Sequence, residues 1–130
     1  TLAFFRENFP PHVTPRNPLD LAGDADNERF RVAISAAMEA ETVDSLLLVC
    51  IPHTPSIDLE SFVDMVVDVS SKSKKPLVVC LPGGRISFAI RELFEENGIP
   101  TYPTPMRAAL SLAALVRYGS LKINSTSTKN

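Results

Sequence analysis

The sequence predicts an α/β fold in which helices cover both faces of a doubly wound parallel sheet. Leu46–Ile51 is an unbroken apolar run, a pattern typical of a strand that is covered on both faces. The same pattern returns at Pro76–Leu81, where the strand ends at Pro82 and is followed by Gly83 and Gly84. Segments with helical periodicity follow both strands. Since strands and helices alternate with short connections, we expect parallel strands and right-handed crossovers.

The composition indicates a single domain that does not act on nucleic acids or membranes. The chain has 130 residues and a net charge of −2, which gives no electrostatic reason to bind nucleic acid or an anionic membrane. No apolar run approaches the roughly 18 residues that a membrane span requires. Cys50 and Cys80 lie inside the predicted strands, so we expect small core residues with free thiols. Free thiols favour a reducing compartment, and we expect a cytoplasmic location.

The residues that precede the first buried strand are expected to form two helices and a short strand. Residues 1–8 can form a helix, and the proline-rich residues 10–16 predict an extended connection. We expect a short strand at Asn17–Leu21 and then a helix that ends near Glu41. Asp24 or Asp26 can cap this helix, because carboxylates accept hydrogen bonds from the first free N–H groups.

The remaining elements follow from apolar spacing and from residues that start or stop helices. We expect a helix from about Ser56 to Ser70 and another from about Arg85 to Asn97, which ends at Gly98 in a left-handed conformation. A short strand at Ile99–Tyr102 is expected next. The last helix is expected to begin after Thr104 and to end near Tyr118, so that residues 1–118 form the domain and residues 119–130 a polar, frayed tail or linker. The predicted buried faces contain Phe30, Ile34, Ala37 and Met38; Leu59, Phe62, Val63, Val66 and Val67; Ile86, Ala89, Ile90, Leu93 and Phe94; and Ala108, Ala109, Leu112, Leu115 and Val116.

The carboxyl ends of the two buried strands are the most informative places for function. In open parallel sheets, ligands bind at this edge. Gly83 and Gly84 are compatible with a tight turn, or with a helix N-terminus whose free N–H groups face an anion. Thr54 and Ser56 occupy the equivalent position after the preceding strand, and the same two interpretations apply to them.

The sequence offers no set of catalytic or metal-binding residues. His53 lies on the same edge, but no carboxylate is placed to orient its ring, so we interpret it as polar surface. His12, in the proline-rich connection, is also expected at the surface. No Gly-x-Gly-x-x-Gly or Walker loop is present, and no Ser/His/Asp, Cys/His or metal-ligand spacing can be assembled. We therefore expect no catalytic residue and no metal site.

The residues Asn-Pro-Leu-Asp-Leu-Ala-Gly-Asp-Ala-Asp-Asn-Glu-Arg-Phe, from Asn17 onward, carry a specific resemblance. They resemble a signature of the NDP-forming acyl-CoA synthetases, the ADP-forming acetyl-CoA ligases, which are relatives of succinyl-CoA synthetase. The matching positions include Asp20, Gly23 and Asp24. The resemblance covers roughly residues 1–118 and includes Lys75-Pro76, Gly83-Gly84, Asn97 to Tyr102 and the helix that follows Thr104.

The resemblance implies a flavodoxin-like CoA-ligase domain without its first strand and helix. It is similar to the carboxy-terminal domain of the succinyl-CoA synthetase β subunit. The family transfers a phosphoryl group between acyl phosphate, a phosphohistidine and a nucleotide. In the family, CoA binds to a Rossmann-like domain, and ATP or ADP with Mg binds to an ATP-grasp domain. The resemblance implies that this chain binds none of these cofactors alone, is inactive in isolation, and supplies helix N-termini at Gly83, Gly84, Thr54 and Ser56 to the phosphoryl site.

Two other functions are compatible with the same fold. One is a binding or regulatory module that takes no part in phosphoryl transfer. The other is a receiver-like domain, which would need an acidic cluster, and only Asp20 qualifies. The resemblance also implies an empty position in the sheet between Asn17–Leu21 and Leu46–Ile51. We therefore expect low stability or a homo-oligomer formed through this edge.

Overall fold

The centre of the structure is a small parallel sheet with helices on both faces. A computed structural model describes residues 2–52 and 54–127, with side chains up to residue 122. Within these residues, no helix is both long enough and apolar enough to cross a membrane. The elements are α1 (Leu2–Asn8), α2 (Asn27–Glu39), β1 (Leu46–Val49), α3 (Leu59–Ser71), β2 (Leu77–Cys80), α4 (Arg85–Glu96), β3 (Thr101–Tyr102) and α5 (Pro105–Ser127).

The strands lie in the order β1-β2-β3, and both pairs are parallel. Leu46 is aligned with Leu77, and Val79 is aligned with Thr101. The pairing between the strands continues beyond β1, where the Cys50 N–H donates to the Cys80 carbonyl at 3.0 Å. The predicted parallel α/β sheet is confirmed, and its carboxyl ends share one edge.

The two faces of the sheet are covered unequally. On one face, α2, α3 and α4 form a layer in which Phe62 meets Phe30 and Phe94 edge to face, at 5.3 and 6.4 Å between ring centroids. On the other face, α5 packs on the strands, and Val78, Cys80 and Ala108 form the buried contact. The sheet is therefore doubly wound, with most of its core under α2, α3 and α4.

The prediction of a strand at Asn17–Leu21 is wrong. This segment forms a tight loop with a cis Asn17-Pro18 peptide bond. It pairs with the preceding residues through an isolated antiparallel bridge between Thr14 and Asp20. The Asp20 carboxylate accepts from the Ala22 N–H at 2.9 Å, and Ala22 has a φ of 67°. The backbone is engaged in local turns, because no strand in the described part of the chain lies beside it.

The prediction that both faces of the first strand are covered is also wrong. Leu48 and Cys50 are buried under the α2–α4 layer, whereas Val49 is 44% exposed and Ile51 is 57% exposed. In the described residues β1 pairs only with β2, so it is an edge strand. The low stability or homo-oligomer expected from this edge stays a prediction, and sedimentation of the purified chain tests it.

Two helices pack differently from their predicted faces. The predicted α4 face contained Ile86, Ala89 and Leu93, but these side chains are exposed, and the buried residues are Ser87, Ile90 and Phe94. In α5, Ala108 is buried, but Ala109, Leu115 and Val116 are exposed. The reason in both cases is that the sheet is narrow, so that each helix contacts it over only part of its circumference.

The helix ends were predicted with mixed success. Gly98 has a φ of 77° at the end of α4, as predicted. The Thr104 hydroxyl accepts from the Arg107 N–H at 3.4 Å and caps α5. However, α3 begins at Leu59 and not near Ser56, because Asp58 provides its cap. Helix α5 continues to Ser127, so residues 119–127 are helical and not frayed, and the proposed boundary at residue 118 stays a prediction.

Candidate functional site

Two loops lie at the carboxyl edge of the sheet. The first, described at residues 50–52 and 54–58, lies between β1 and α3, and the second, residues 81–84, lies between β2 and α4. They are adjacent because β1 and β2 are paired in register up to Val49 and Cys80. We call them the first junction and the second junction.

The second junction leaves a helix N-terminus open. Gly83 has a φ of 126°, a conformation that favours glycine, and Gly84 is the N-cap of α4 without any side-chain hydrogen bond to the helix. The first turn of α4 contains Arg85 and no acidic residue. Space around Gly84 is open, since a Cβ atom there would meet nothing within 4 Å. The first N–H groups of a helix lack intrahelical partners, so this end suits an anion.

A buried hydroxyl holds the second junction in place. Ser87 is fully buried, and its Oγ donates to the Pro82 carbonyl at 2.9 Å. The helical hydrogen bond from Phe88 N–H to the Gly84 carbonyl measures 3.1 Å. The sequence analysis missed Ser87. The available signal was its position three residues before Ile90 and seven before Phe94, in the stripe that proved to be buried.

The first junction closes its helix with a carboxylate from the chain itself. Asp58 accepts from the Ser61 N–H at 3.1 Å, and this hydrogen bond lowers the pKa of the Asp58 carboxyl below its ordinary value. Glu60 adds a second acidic residue to the first turn of α3. The charge at this helix end is therefore already matched by the chain, and a further anion would meet repulsion.

Thr54 and Ser56 lie in the turn before this cap. The Thr54 carbonyl accepts from the Ile57 N–H at 3.2 Å, and Ser56 is exposed within the turn. Neither residue caps α3. The Thr54 Oγ1 atom is buried and has no hydrogen-bond partner among the described residues. His53, which was interpreted as polar surface, lies outside the described residues.

Asn27, which sequence analysis also missed, connects α2 to the first junction. Its Nδ2 donates to the Asp58 carbonyl and to Ser61 Oγ, both at 2.8 Å. Its Oδ1 is buried without a partner in the described part of the chain. Asp26 caps α2 by accepting from the Arg29 N–H at 2.8 Å, which confirms one of the two predicted caps. The start of α2 therefore supports the start of α3.

The acidic residues of the Asn17 block shape the loop that leads into α2. Asp24 accepts from Arg29 Nη1 at 2.8 Å, and it contacts the exposed His12 ring at 3.2 Å. The hydrogen bond from Arg29 lowers the pKa of Asp24 to about 2. Arg29 also donates to the Leu21 carbonyl at 3.0 Å. Asp20 bonds within the same loop, as described above, and Asn17 and Gly23 are exposed.

The two cysteines have no features of a reactive thiol. Both are free and buried, as predicted for small core residues. Burial raises the pKa of the Cys50 thiol to about 12, and it also raises the pKa of Cys80. Neither thiol is therefore ionised near neutral pH. Across the described residues, no group of three or more His, Cys, Asp or Glu side chains could hold a metal ion.

The curated relatives of this chain are acyl-CoA ligases. No family model matches the chain. It is 35% identical over 124 residues to the alpha subunit of acetate–CoA ligase [ADP-forming] I from Pyrococcus furiosus, a match that covers 93% of this chain and 26% of that protein. It is 30% identical over 112 residues to 4-hydroxybutyrate–CoA ligase [ADP-forming] from Nitrosopumilus maritimus, covering 86% of this chain and 16% of that protein.

Solved structures show the same fold. Dinucleotide-forming acetyl-coenzyme A synthetase 1 of Ca. Korarchaeum cryptofilum, in its apo form, matches with a TM-score of 0.83 and 24% identity over 98% of this chain and 28% of that one. PH0766 from Pyrococcus horikoshii OT3 matches with a TM-score of 0.75 and 26% identity over 86% of this chain and 26% of that one. The chain thus spans about a quarter or less of the proteins named here. The resemblance noted in the sequence is confirmed.

Proposed function

We propose that this chain, whose homologues are ADP-forming acyl-CoA ligases, is one non-catalytic part of such an enzyme. The parent enzyme would convert an acyl-CoA, phosphate and ADP to an acid, CoA and ATP through a phosphohistidine. In this proposal the chain supplies the N-terminus of α4 to the phosphoryl site. The observation that supports this role is the open, uncapped end of α4 at Gly84, on the carboxyl edge of the sheet.

Phosphoryl transfer needs fixed hydrogen-bond donors aimed at negative charge, which is the kind of group that this helix end provides. Apart from the histidine that carries the phosphoryl group, the protein contributes to such transfers mainly through positioning and electrostatic stabilisation. The N–H groups of the first turn of α4 are fixed by the helix, and the exposed Arg85 adds a positive charge beside them. A single well-placed donor of this kind is worth about 3 kcal/mol in the transition state.

The four candidate residues differ in how well they fit this role. Gly83 and Gly84 precede a helix end without a cap, whereas Thr54 and Ser56 precede a helix end that Asp58 already occupies. We therefore assign the anion to the second junction. Thr54 stays in the proposal as an additional donor, because its buried hydroxyl has no partner in the described residues. Ser56 is the weakest of the four.

The proposed partners are the other domains or subunits of the parent enzyme. The Pyrococcus furiosus alpha subunit has almost three quarters of its length outside the match, which is room for further domains. We propose that such domains carry the phosphohistidine, the CoA site and the site for ATP or ADP with Mg. We also propose a cytoplasmic location, because both free thiols suit a reducing compartment.

A charge placed at Gly84 tests the proposal directly. In a full-length ligase that contains this segment, Gly84→Asp would give α4 the same kind of carboxylate cap that Asp58 gives α3. We expect the rate of ATP formation to fall by about 10²–10³, because the donors are then occupied and the site carries a negative charge. Gly84→Ala is the matched control, since it adds a side chain in the same open space without charge.

The outcomes separate the phosphoryl role from its alternative. If Gly84→Asp retains full turnover, the chain is better described as a binding or regulatory module on the same fold. If Thr54→Val causes the large loss and Gly84→Asp does not, the anion belongs to the first junction. The isolated chain should form no ATP from acyl-CoA, phosphate and ADP, and ATP formation by it alone would contradict a non-catalytic part.

A further inference from the structure

Helix α5 is apolar on the side that faces away from the sheet. Its inner side contacts the strands through Ala108 and Leu112. On its outer side, Met106, Leu110 and Leu121 are 69%, 64% and 62% exposed. At 3.6 residues per turn these three side chains fall within an arc of about 60°. A helix that is apolar on both sides is ordinarily buried between two layers, and among the described residues no second layer covers the outer side of α5.

The charges along α5 are all of one sign. Residues 105–127 contain Arg107, Arg117 and Lys122 but no Asp or Glu. Arg117 projects within about 20° of Met106, so it lies inside the apolar arc. Among the described residues, neither Arg107 nor Arg117 forms an ion pair. We call Met106, Leu110, Arg117 and Leu121 the outer stripe of α5.

The position of Arg117 defines the chemistry of whatever covers the outer stripe. Covering the stripe removes the guanidinium from water, and leaving one partner of a buried pair unmatched is strongly destabilising. A partner therefore needs apolar side chains for Leu110 and Leu121 and a carboxylate opposite Arg117. Depletion of acidic residues on α5 itself means that the carboxylate must come from another surface.

We propose that the outer stripe of α5 docks an amphipathic helix whose apolar seam is flanked by acidic residues, contributed by another domain or protein. This surface goes beyond the phosphoryl role and does not depend on it. A second copy of α5 is a poor occupant, because two such stripes would bring arginines together without any carboxylate. A lipid surface is also a poor occupant, since Arg117 would enter the acyl layer from the centre of the stripe.

Two designed helical peptides provide the probes. Both have the 23-residue length of α5 and a leucine seam; one carries glutamates along the flanks and the other carries lysines. We expect the glutamate peptide to bind the chain, as measured by fluorescence anisotropy. Arg117→Glu should weaken this binding by at least about tenfold, or 1.4 kcal/mol, and should create binding of the lysine peptide. Leu110→Ser should weaken both.

The control is Phe88→Ser, which removes a side chain of similar exposure, 56%, from α4 and should leave binding unchanged. Circular dichroism verifies that each variant is folded. If Arg117→Glu is not folded, Arg117→Gln takes its place. Failure of the glutamate peptide to bind, equal binding of both peptides, or an unchanged preference after Arg117→Glu would overturn the proposal. Binding to phosphatidylserine vesicles that requires Arg117, or self-association that Leu110→Ser abolishes, would overturn it as well.

Discussion

The two junctions at the carboxyl edge start from similar strands and end in opposite electrostatic environments. The strand before the first reads Leu-Val-Cys-Ile-Pro, and the strand before the second reads Val-Val-Cys-Leu-Pro. At the first junction, Asp58 caps α3 and Asn27 bonds to the same loop. At the second, Gly84 provides no cap, and the buried Ser87 holds the loop from inside the helix.

This difference shows how one strand pattern produces one closed and one open helix end. The apolar strand and its proline place both loops on the same edge of the sheet. The residues after the proline then decide whether the helix N–H groups are used within the chain or remain available to an external anion. An acidic cap stabilises the first helix, whereas a bare glycine leaves the second helix less stable and more suited to a ligand.

The largest expected effect comes from removing the aromatic ring at the centre of the α2–α4 layer, on which both junction helices pack. Phe62 is fully buried in α3 and packs edge to face against Phe30 of α2 and Phe94 of α4. Phe62→Ala should lower the free energy of unfolding by about 3–5 kcal/mol, measured by urea denaturation. Phe88→Ala is the control, because this ring is 56% exposed and its loss should cost less than about 1 kcal/mol. Equal losses for both variants would contradict the packing described here.

Ser87→Ala should weaken the second junction and leave the first intact. Removing the hydroxyl leaves the Pro82 carbonyl without its donor at a buried position, which should cost about 1–3 kcal/mol. Amide hydrogen exchange should accelerate in the first turn of α4 and not in that of α3. Ser71→Ala is the control, since that exposed hydroxyl donates to the Asp68 carbonyl at 2.8 Å at the far end of α3. Uniform acceleration over both helices would argue against a local role for Ser87.

Asp58→Ala should open the first junction at a smaller cost. Loss of an N-cap carboxylate destabilises a helix by about 1 kcal/mol, so the midpoint of urea unfolding should fall by a modest amount. Asp58→Asn keeps an acceptor at the same place and should retain most of the stability. The reciprocal change, Gly84→Asp, should stabilise the chain by a few tenths of a kcal/mol, about the difference between glycine and a carboxylate at an N-cap. A Gly84→Asp variant that is clearly less stable would show that the second junction is not a free helix end.

The smallest effect concerns Asp24, in the loop before α2. Its pKa is lowered from 3.8 to about 2 in the folded chain by the hydrogen bond from Arg29. A lowered folded pKa stabilises the protein above the unfolded value, and this stabilisation is lost as the pH falls from about 4 to 2. Because the Asp24 side chain is 58% exposed, the effect should be small.

Asp24→Asn should therefore reduce stability near neutral pH and flatten its dependence on pH below 4, as seen in urea unfolding at a series of pH values. Asp44→Asn, which replaces another exposed aspartate, is the control. It should leave the decline of stability below pH 4 unchanged. If the stability of Asp24→Asn falls with decreasing pH as steeply as that of the parent chain, the ion pair with Arg29 does not persist in solution.

The sequence by itself determined the elements whose signals lie within a few residues of one another. The apolar runs at Leu46–Ile51 and Pro76–Leu81 correctly predicted β1 and β2, and Asp26, Thr104 and Gly98 marked helix ends correctly. These signals are local, because a cap or a left-handed glycine acts on the N–H or carbonyl groups of its own turn. The placement of Gly83-Gly84 at the sheet edge followed from the same local pattern.

Only the tertiary structure decided the features that depend on distant partners. In Asn17–Leu21 two leucines alternate with a polar residue, but a strand forms only beside another strand, and none lies next to this segment in the described residues. Ser56 and Asp58 are both capping residue types, and Asp58 is the cap in a junction that Asn27 holds from α2. In α4, the apolar positions form an arc wider than the face that packs, so hydrophobicity alone could not show that Leu93 would be exposed while Ile90 and Phe94 are buried. The choice among such positions is made by contacts between elements far apart in the chain, and these contacts exist only after the sheet has formed.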